Sequence, residues 1–75
     1  MKSRVATNIR GAMRERGVNS AELARRLGDH ERQVRRWRNG ETVPGFDNLA
    51  KLAVELDKEP GWFYLDHAPS ERAAA

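Results

Sequence analysis

The sequence predicts an all-α fold, and three observations carry that prediction. Apolar residues recur every three or four positions in four successive segments, the spacing of one helix face. Gly17, Gly28 and Gly40 follow the first three segments, where a left-handed terminating residue belongs. No stretch alternates apolar and polar residues with period two, as a half-buried strand would. The chain has 75 residues, enough for one domain. A domain this small buries only about 60–65% of the surface its unfolded form exposes. Disulfides would help it, but the chain has no cysteine, which also removes thiolate metal sites. His30 and His67 are far apart and lack ligand-spaced companions, so no metal and no other cofactor is expected.

A first helix is expected over about residues 4–16, with Val5, Ile9, Ala12 and Met13 as its apolar stripe. Arg10, Arg14, Glu15 and Arg16 lie off that stripe. Gly17 ends the helix, and Val18 packs as the chain turns. In the second helix, Ser20 is the expected N-cap, and Glu22 places a negative charge in the first turn. Leu23, Ala24 and Leu27 form its buried side. Ala24 and Gly28 are small where the next helix must cross closely. The third helix is expected over about 31–39, with Asp29 or His30 as its cap and Gln33 as a capping-box partner for His30. Gly40 ends it, and a loop follows with Pro44 and Gly45 as breakers. A fourth helix, about 46–57, carries Phe46, Leu49, Leu52, Ala53 and Leu56 on one face. Pro60 then opens a short turn over about 60–65 that holds Trp62, Phe63, Tyr64 and Leu65. The domain is therefore expected to occupy residues 1–66, with residues 67–75 (HAPSERAAA) as a flexible C-terminal tail that has nothing to pack.

Charge divides the chain. Residues 1–40 hold 11 Lys/Arg and 4 Asp/Glu, or 11 − 4 = +7, whereas residues 41–75 hold 3 and 7, or 3 − 7 = −4; the sum is the net +3. A one-sided basic field implies a polyanionic partner. The third helix concentrates it, with Val34 and Trp37 on one face and Arg32, Arg35, Arg36 and Asn39 on the other. An anchored helix with a basic opposite face suits the major groove of DNA, which admits one α-helix. Other classes are disfavoured. No apolar run approaches the ~18–20 residues of a membrane span. The N-terminus lacks the apolar core of a signal peptide, so the expected location is the cytoplasm of a bacterium or phage-infected host. No nucleophile–base pair, phosphate loop or carboxylate dyad is present, so neither an enzyme nor a small-molecule ligand is expected.

The stretch GVNSAELARRLG…VRRWRNGETVPGFDNLAKLAVEL resembles the Cro/repressor type of helix-turn-helix, the xenobiotic-response-element family. The marks are Leu23-Ala24, Gly28 at the turn, Val34 and Trp37 as anchors, Asn39-Gly40, Pro44 and the run Leu49 to Ala53. The likeness covers about residues 4–65. It implies a compact five-helix bundle of the lambda-repressor-like kind and a transcriptional regulator that binds a double-stranded, (pseudo)palindromic DNA operator as a homodimer. A small Arg-rich chain of this kind suits a phage or prophage Cro or repressor.

The resemblance places base reading on Glu31, Arg32 and Arg36. Arg32 and Arg36 lie one turn apart, and a bidentate Arg to guanine is the commonest specific contact. Arg35, between them, either reads a base or holds a phosphate. Glu31 either accepts from cytosine or serves as a first-turn acid that orients Arg35. Gln33 sits on the flank as a further base-reading candidate. Asn19, Ser20, Arg38 and Asn39 are the phosphate-binding candidates, with local capping and solvation as the alternative. Ser20 stands where the family usually has Gln. Met13 and Arg38 stand where some members bury an Arg–Glu pair, so that pair is absent and Arg38 is free for another partner. Trp37 reads as core rather than as a stacking platform.

Trp62, Phe63, Tyr64 and Leu65 cannot all face one core. Trp62 or Phe63, together with Leu65, is expected inward, and the remainder is expected to form a dimer interface. Two further functions compete. An antitoxin-type autoregulator would need a toxin-binding tail, and HAPSERAAA is short for that. A protein-interaction module keeping the fold without DNA binding is opposed by the outward arginines of the third helix.

Overall fold

The computed structural model describes residues 4–67. It contains α1 (Arg4–Arg16), α2 (Ser20–Leu27), α3 (Glu31–Asn39) and α4 (Phe46–Glu55), then a 3-10 helix, Pro60–Tyr64. The described residues hold no strand, in line with the all-α expectation. The expected count of five α-helices is not met, because the last element is a single tight turn of five residues. Its bonds span three positions: Trp62 N donates to the Glu59 carbonyl at 2.9 Å and Leu65 N to the Trp62 carbonyl at 3.2 Å.

α1 and α3 begin and end where the sequence places them, α2 begins one residue earlier than a Ser20 cap would have it, and each of the three stops at a glycine with positive φ. At Gly28, φ is 72°, and the next amide, Asp29 N, donates back to the Ala24 carbonyl at 2.9 Å. That closure satisfies a carbonyl the helix itself leaves open. The fourth helix stops at Glu55, two residues before the expected end. Asp57, not a glycine, takes the left-handed conformation (φ 60°), and Lys58 N closes onto the Ala53 carbonyl at 2.8 Å.

Ser20 is not the N-cap of α2. That role falls to Asn19, whose side-chain oxygen accepts from Glu22 N at 2.8 Å. Asn reaches a free amide as well as Ser does, and the shift of one position sends the Ser20 hydroxyl inward. His30 is the N-cap residue of α3, but its side chain makes no capping bond.

One core joins all the elements: Val5, Ile9, Ala12 and Met13 of α1, Leu23 and Ala24 of α2, Val34 and Trp37 of α3, Leu49, Leu52 and Ala53 of α4, with Leu56 and Phe63 beyond it. Val18, Leu27 and Trp62 pack against it half-buried. Phe46 departs from its expected place. It is 66% exposed, because it opens the first turn at the edge of the buried face, beyond the end of the core. Leu65 also departs, lying 58% exposed after the 3-10 helix instead of inward.

Asn8 of α1 is buried, and its Nδ2 donates to the Phe63 and Leu65 carbonyls, each at 2.8 Å. Lys58 reaches Glu15 Oε1 at 2.9 Å and lies 4.5 Å from the centre of the Trp62 ring. His67 stacks on Trp62 as well, 4.1 Å between ring centroids, with Nε2 2.9 Å from the Trp62 carbonyl. His67, assigned by sequence to an unpacked tail, therefore docks on the domain. The rest of that tail lies outside the described residues.

Candidate nucleic-acid interface

The interface is built on α3, and α3 is seated by two side chains. Val34 and Trp37, three positions apart, are buried against α1 and α2. Ala24 is buried at the crossing, where its small side chain lets α3 approach α2. A helix anchored along that line must turn the opposite face outward. Arg32 and Arg36, separated by one turn, occupy the centre of that face, and both are exposed. Their guanidinium groups hold no hydrogen bond or ion pair with any described residue. Ten donors are thus presented to whatever approaches this side of the domain. Asp29, His30 and Gln33 join the two arginines around an open hollow of about 530 Å³.

The flanking candidates are arranged differently. Arg35 Nη1 lies 2.6 Å from Glu31 Oε2, an i,i+4 ion pair with both side chains about half exposed. Such a pair contributes only about 0.3–0.5 kcal/mol. It can therefore open when a phosphate or base competes for either partner. Gln33 is half-buried on the flank. Asn39 is exposed at the last position of α3. Asn19 is exposed just before α2, with its side-chain oxygen accepting from Glu22 N, which leaves its amide N–H groups as donors an anion could use. On α2, Arg26 pairs with Glu22 at 2.7 Å.

Ser20 and Arg38 are brought together, and not outward. Arg38 Nη1 donates to Ser20 Oγ at 2.9 Å, and Arg38 is half-buried while Ser20 is buried. Arg10 of α1 donates in turn to the Arg38 carbonyl. From the sequence, Arg10 is placed only off the apolar stripe of α1. The signal that could have placed Arg38 was available: it follows Val34 by four positions, so it shares the anchored face.

The four aromatic and apolar residues near the C-terminal end divide. Phe63 is buried in the core, Trp62 is half-buried against Phe63, Lys58 and His67, and Tyr64 and Leu65 are exposed. Among the described residues no helix is long and apolar enough to cross a membrane, and no three acidic or His side chains converge as a metal site would require.

The site is thus two short helices, α2 and α3, meeting at a glycine turn, with two arginines of the second outward and unpaired among the described residues. The helix-turn-helix family model matches residues 9–63, within the span on which the resemblance was read. No curated protein and no solved structure matches the chain. The match covers most of the sequence, from the middle of α1 into the 3-10 helix, and on it the chain belongs to the Cro/repressor-type helix-turn-helix family of DNA-binding regulators.

Proposed function

We propose that this protein is a sequence-specific regulator of transcription, of the Cro or repressor kind found in phages and prophages. It lays α3 in the major groove of a double-stranded operator. The carrying observation is that Arg32 and Arg36 have no partner among the described residues and stand on the face opposite Val34 and Trp37. An arginine in that position donates two bonds to O6 and N7 of one guanine, which discriminates by about 1–3 kcal/mol against another base. Gln33 and Glu31 flank these two and extend the reading, while Arg35, released from its weak pair with Glu31, holds a phosphate beside them. Asn19 and Asn39 hold phosphates at the two ends of the motif, which positions the readers without adding sequence information. A homodimer on a (pseudo)palindromic site would double the contact. Tyr64 and Leu65, exposed and apolar, are the surface for it.

The test is selection of binding sites from a random duplex library with the purified protein. Recovery of an enriched motif with at least one invariant guanine in each half, related by a two-fold axis, is the expected result. Recovery of unselected sequence would reject specific recognition. An enriched motif without symmetry would keep recognition and reject the dimer.

A further inference from the structure

We infer that Arg38 is a positioning residue, a strut tying three helices together that fixes how Arg32 and Arg36 are presented, and that neither it nor Ser20 is a phosphate contact. The inference rests on the DNA-binding reading above. Arg38 Nη1 donates to Ser20 Oγ at 2.9 Å, which links α3 to the first residue of α2. Ser20 is only 4% exposed, so its hydroxyl is committed to the protein interior. The Arg38 carbonyl is one of the last four of α3, which no intrahelical amide can reach. Arg10 Nη1 fills that place from α1, and its positive charge also suits the C-terminal end of the helix dipole.

One residue thus joins α3 to α2 through its side chain and to α1 through its backbone. The apolar packing of Leu23, Ala24, Val34 and Trp37 holds the helices together but is non-directional. Hydrogen bonds are directional, and these two resist rotation and sliding of α3 on the layer below. Arg36 lies two positions from Arg38, so a small slide would carry its donors off the guanine edge. Both acceptors in the strut are neutral oxygens. The arrangement therefore sets geometry without cancelling the basic charge.

Ser20→Ala and Arg38→Met are compared with the unaltered chain on two duplexes, the selected operator and a random sequence, across a salt series. Circular dichroism sets a temperature at which every variant is folded. Each variant is expected to lower the operator-to-random affinity ratio about tenfold, of the order of one misread base contact. The slope of log K against log salt should stay unchanged, because no phosphate contact is lost. In a background carrying Arg32→Ala and Arg36→Ala, Ser20→Ala should no longer change the ratio, since the strut acts through those two readers. A slope that falls by about 0.9 with Arg38→Met makes Arg38 a phosphate ligand and overturns the inference. So does an equal loss on both duplexes with Ser20→Ala, and so does an unchanged ratio. Ser20→Ala alone decides the matter if Arg38→Met fails to fold. Failure of the unaltered chain to bind either duplex is a different result, which rejects DNA binding itself.

Discussion

The amide nitrogen of Asn8 lies 2.8 Å from the Phe63 carbonyl, a buried bond between residues 55 positions apart. The same nitrogen reaches the Leu65 carbonyl at 2.8 Å. Two carbonyls at the end of a 3-10 helix, which five residues cannot satisfy internally, are thereby paired by the first helix. Asn8→Ala removes both donors and leaves the acceptors behind. The expected cost is about 1–3 kcal/mol, which for a domain of this size lowers the melting temperature by roughly 4–8 °C per kcal/mol. Thermal unfolding followed by circular dichroism measures it, and an unchanged midpoint would show that the 3-10 helix is held by Phe63 packing alone.

Two glycines should respond in opposite directions to the same substitution. Gly11 sits in the interior of α1, and a Cβ built there meets nothing within 4 Å. Gly11→Ala should therefore stabilise the domain by about 0.5–1 kcal/mol, through the restricted unfolded chain. Gly28 also has open space around it, but its φ is +72°. Gly28→Ala should destabilise by about 1–2 kcal/mol, the cost of a left-handed conformation for a residue with a Cβ. Urea unfolding of both variants checks the pair. The prediction fails if the two shift the midpoint in the same direction.

The sequence was most legible where chemistry is local. Gly17, Gly28 and Gly40 mark the ends of three helices because positive φ is nearly their privilege. Asp57 does the same work at the end of α4 with no such mark, so that helix was read two residues too long. Val34 and Trp37 set Arg32, Arg35, Arg36 and Asn39 on the outward face of α3 by spacing alone, and the family resemblance, not the spacing, singled out Arg32 and Arg36 among them. Long-range pairings left no local trace. Nothing near Asn8 in sequence announces Phe63, and nothing near Arg10 announces the carbonyl of Arg38. The cap of α2 lies one residue before the expected Ser20: Asn19 and Ser20 are both good N-caps, and the bond from Glu22 N to Asn19 together with the burial of Ser20 separates them. The run from Trp62 to Leu65 could be divided between core and surface in principle, but a 3-10 helix turns about three residues per turn. That tight turn buries Phe63 and ends at Tyr64, and Leu65 follows in extended conformation, exposed.

Tyr64 and Leu65 are 48% and 58% exposed at the end of the described domain, adjacent to the packed Trp62 and Phe63. If a second copy covers them on DNA, Leu65→Asp should leave the fold intact, since the side chain contributes little to the core, and abolish cooperative binding to paired half-sites. The half-sites should be spaced about one helical turn, ~34 Å, apart. Footprinting with operators carrying one or two half-sites, with sedimentation of the complex, measures both. Equal cooperativity in Leu65→Asp and the unaltered chain would move the dimer surface elsewhere, and a footprint confined to one half-site would remove the dimer.

Arg36 and Arg35 lie side by side in sequence but should fail differently. Arg36 has no partner among the described residues, whereas Arg35 is engaged by Glu31 at 2.6 Å. Arg36→Ala should weaken operator binding by about 1–3 kcal/mol, the worth of a bidentate guanine contact, or roughly 5- to 150-fold at 1.4 kcal/mol per tenfold. Its effect on random duplex should be far smaller, because only a share of the general electrostatic attraction is lost. Arg35→Ala, if Arg35 holds a phosphate, should weaken both duplexes alike and reduce the salt slope by about 0.9. Titrations on the two duplexes at several salt concentrations separate these outcomes. Equal loss on both duplexes for Arg36→Ala would make Arg36 a backbone contact and leave Arg32 to carry the reading. An affinity that does not fall with salt in the unaltered chain would contradict the electrostatic basis of the interface altogether, because each neutralised phosphate must release its counterion.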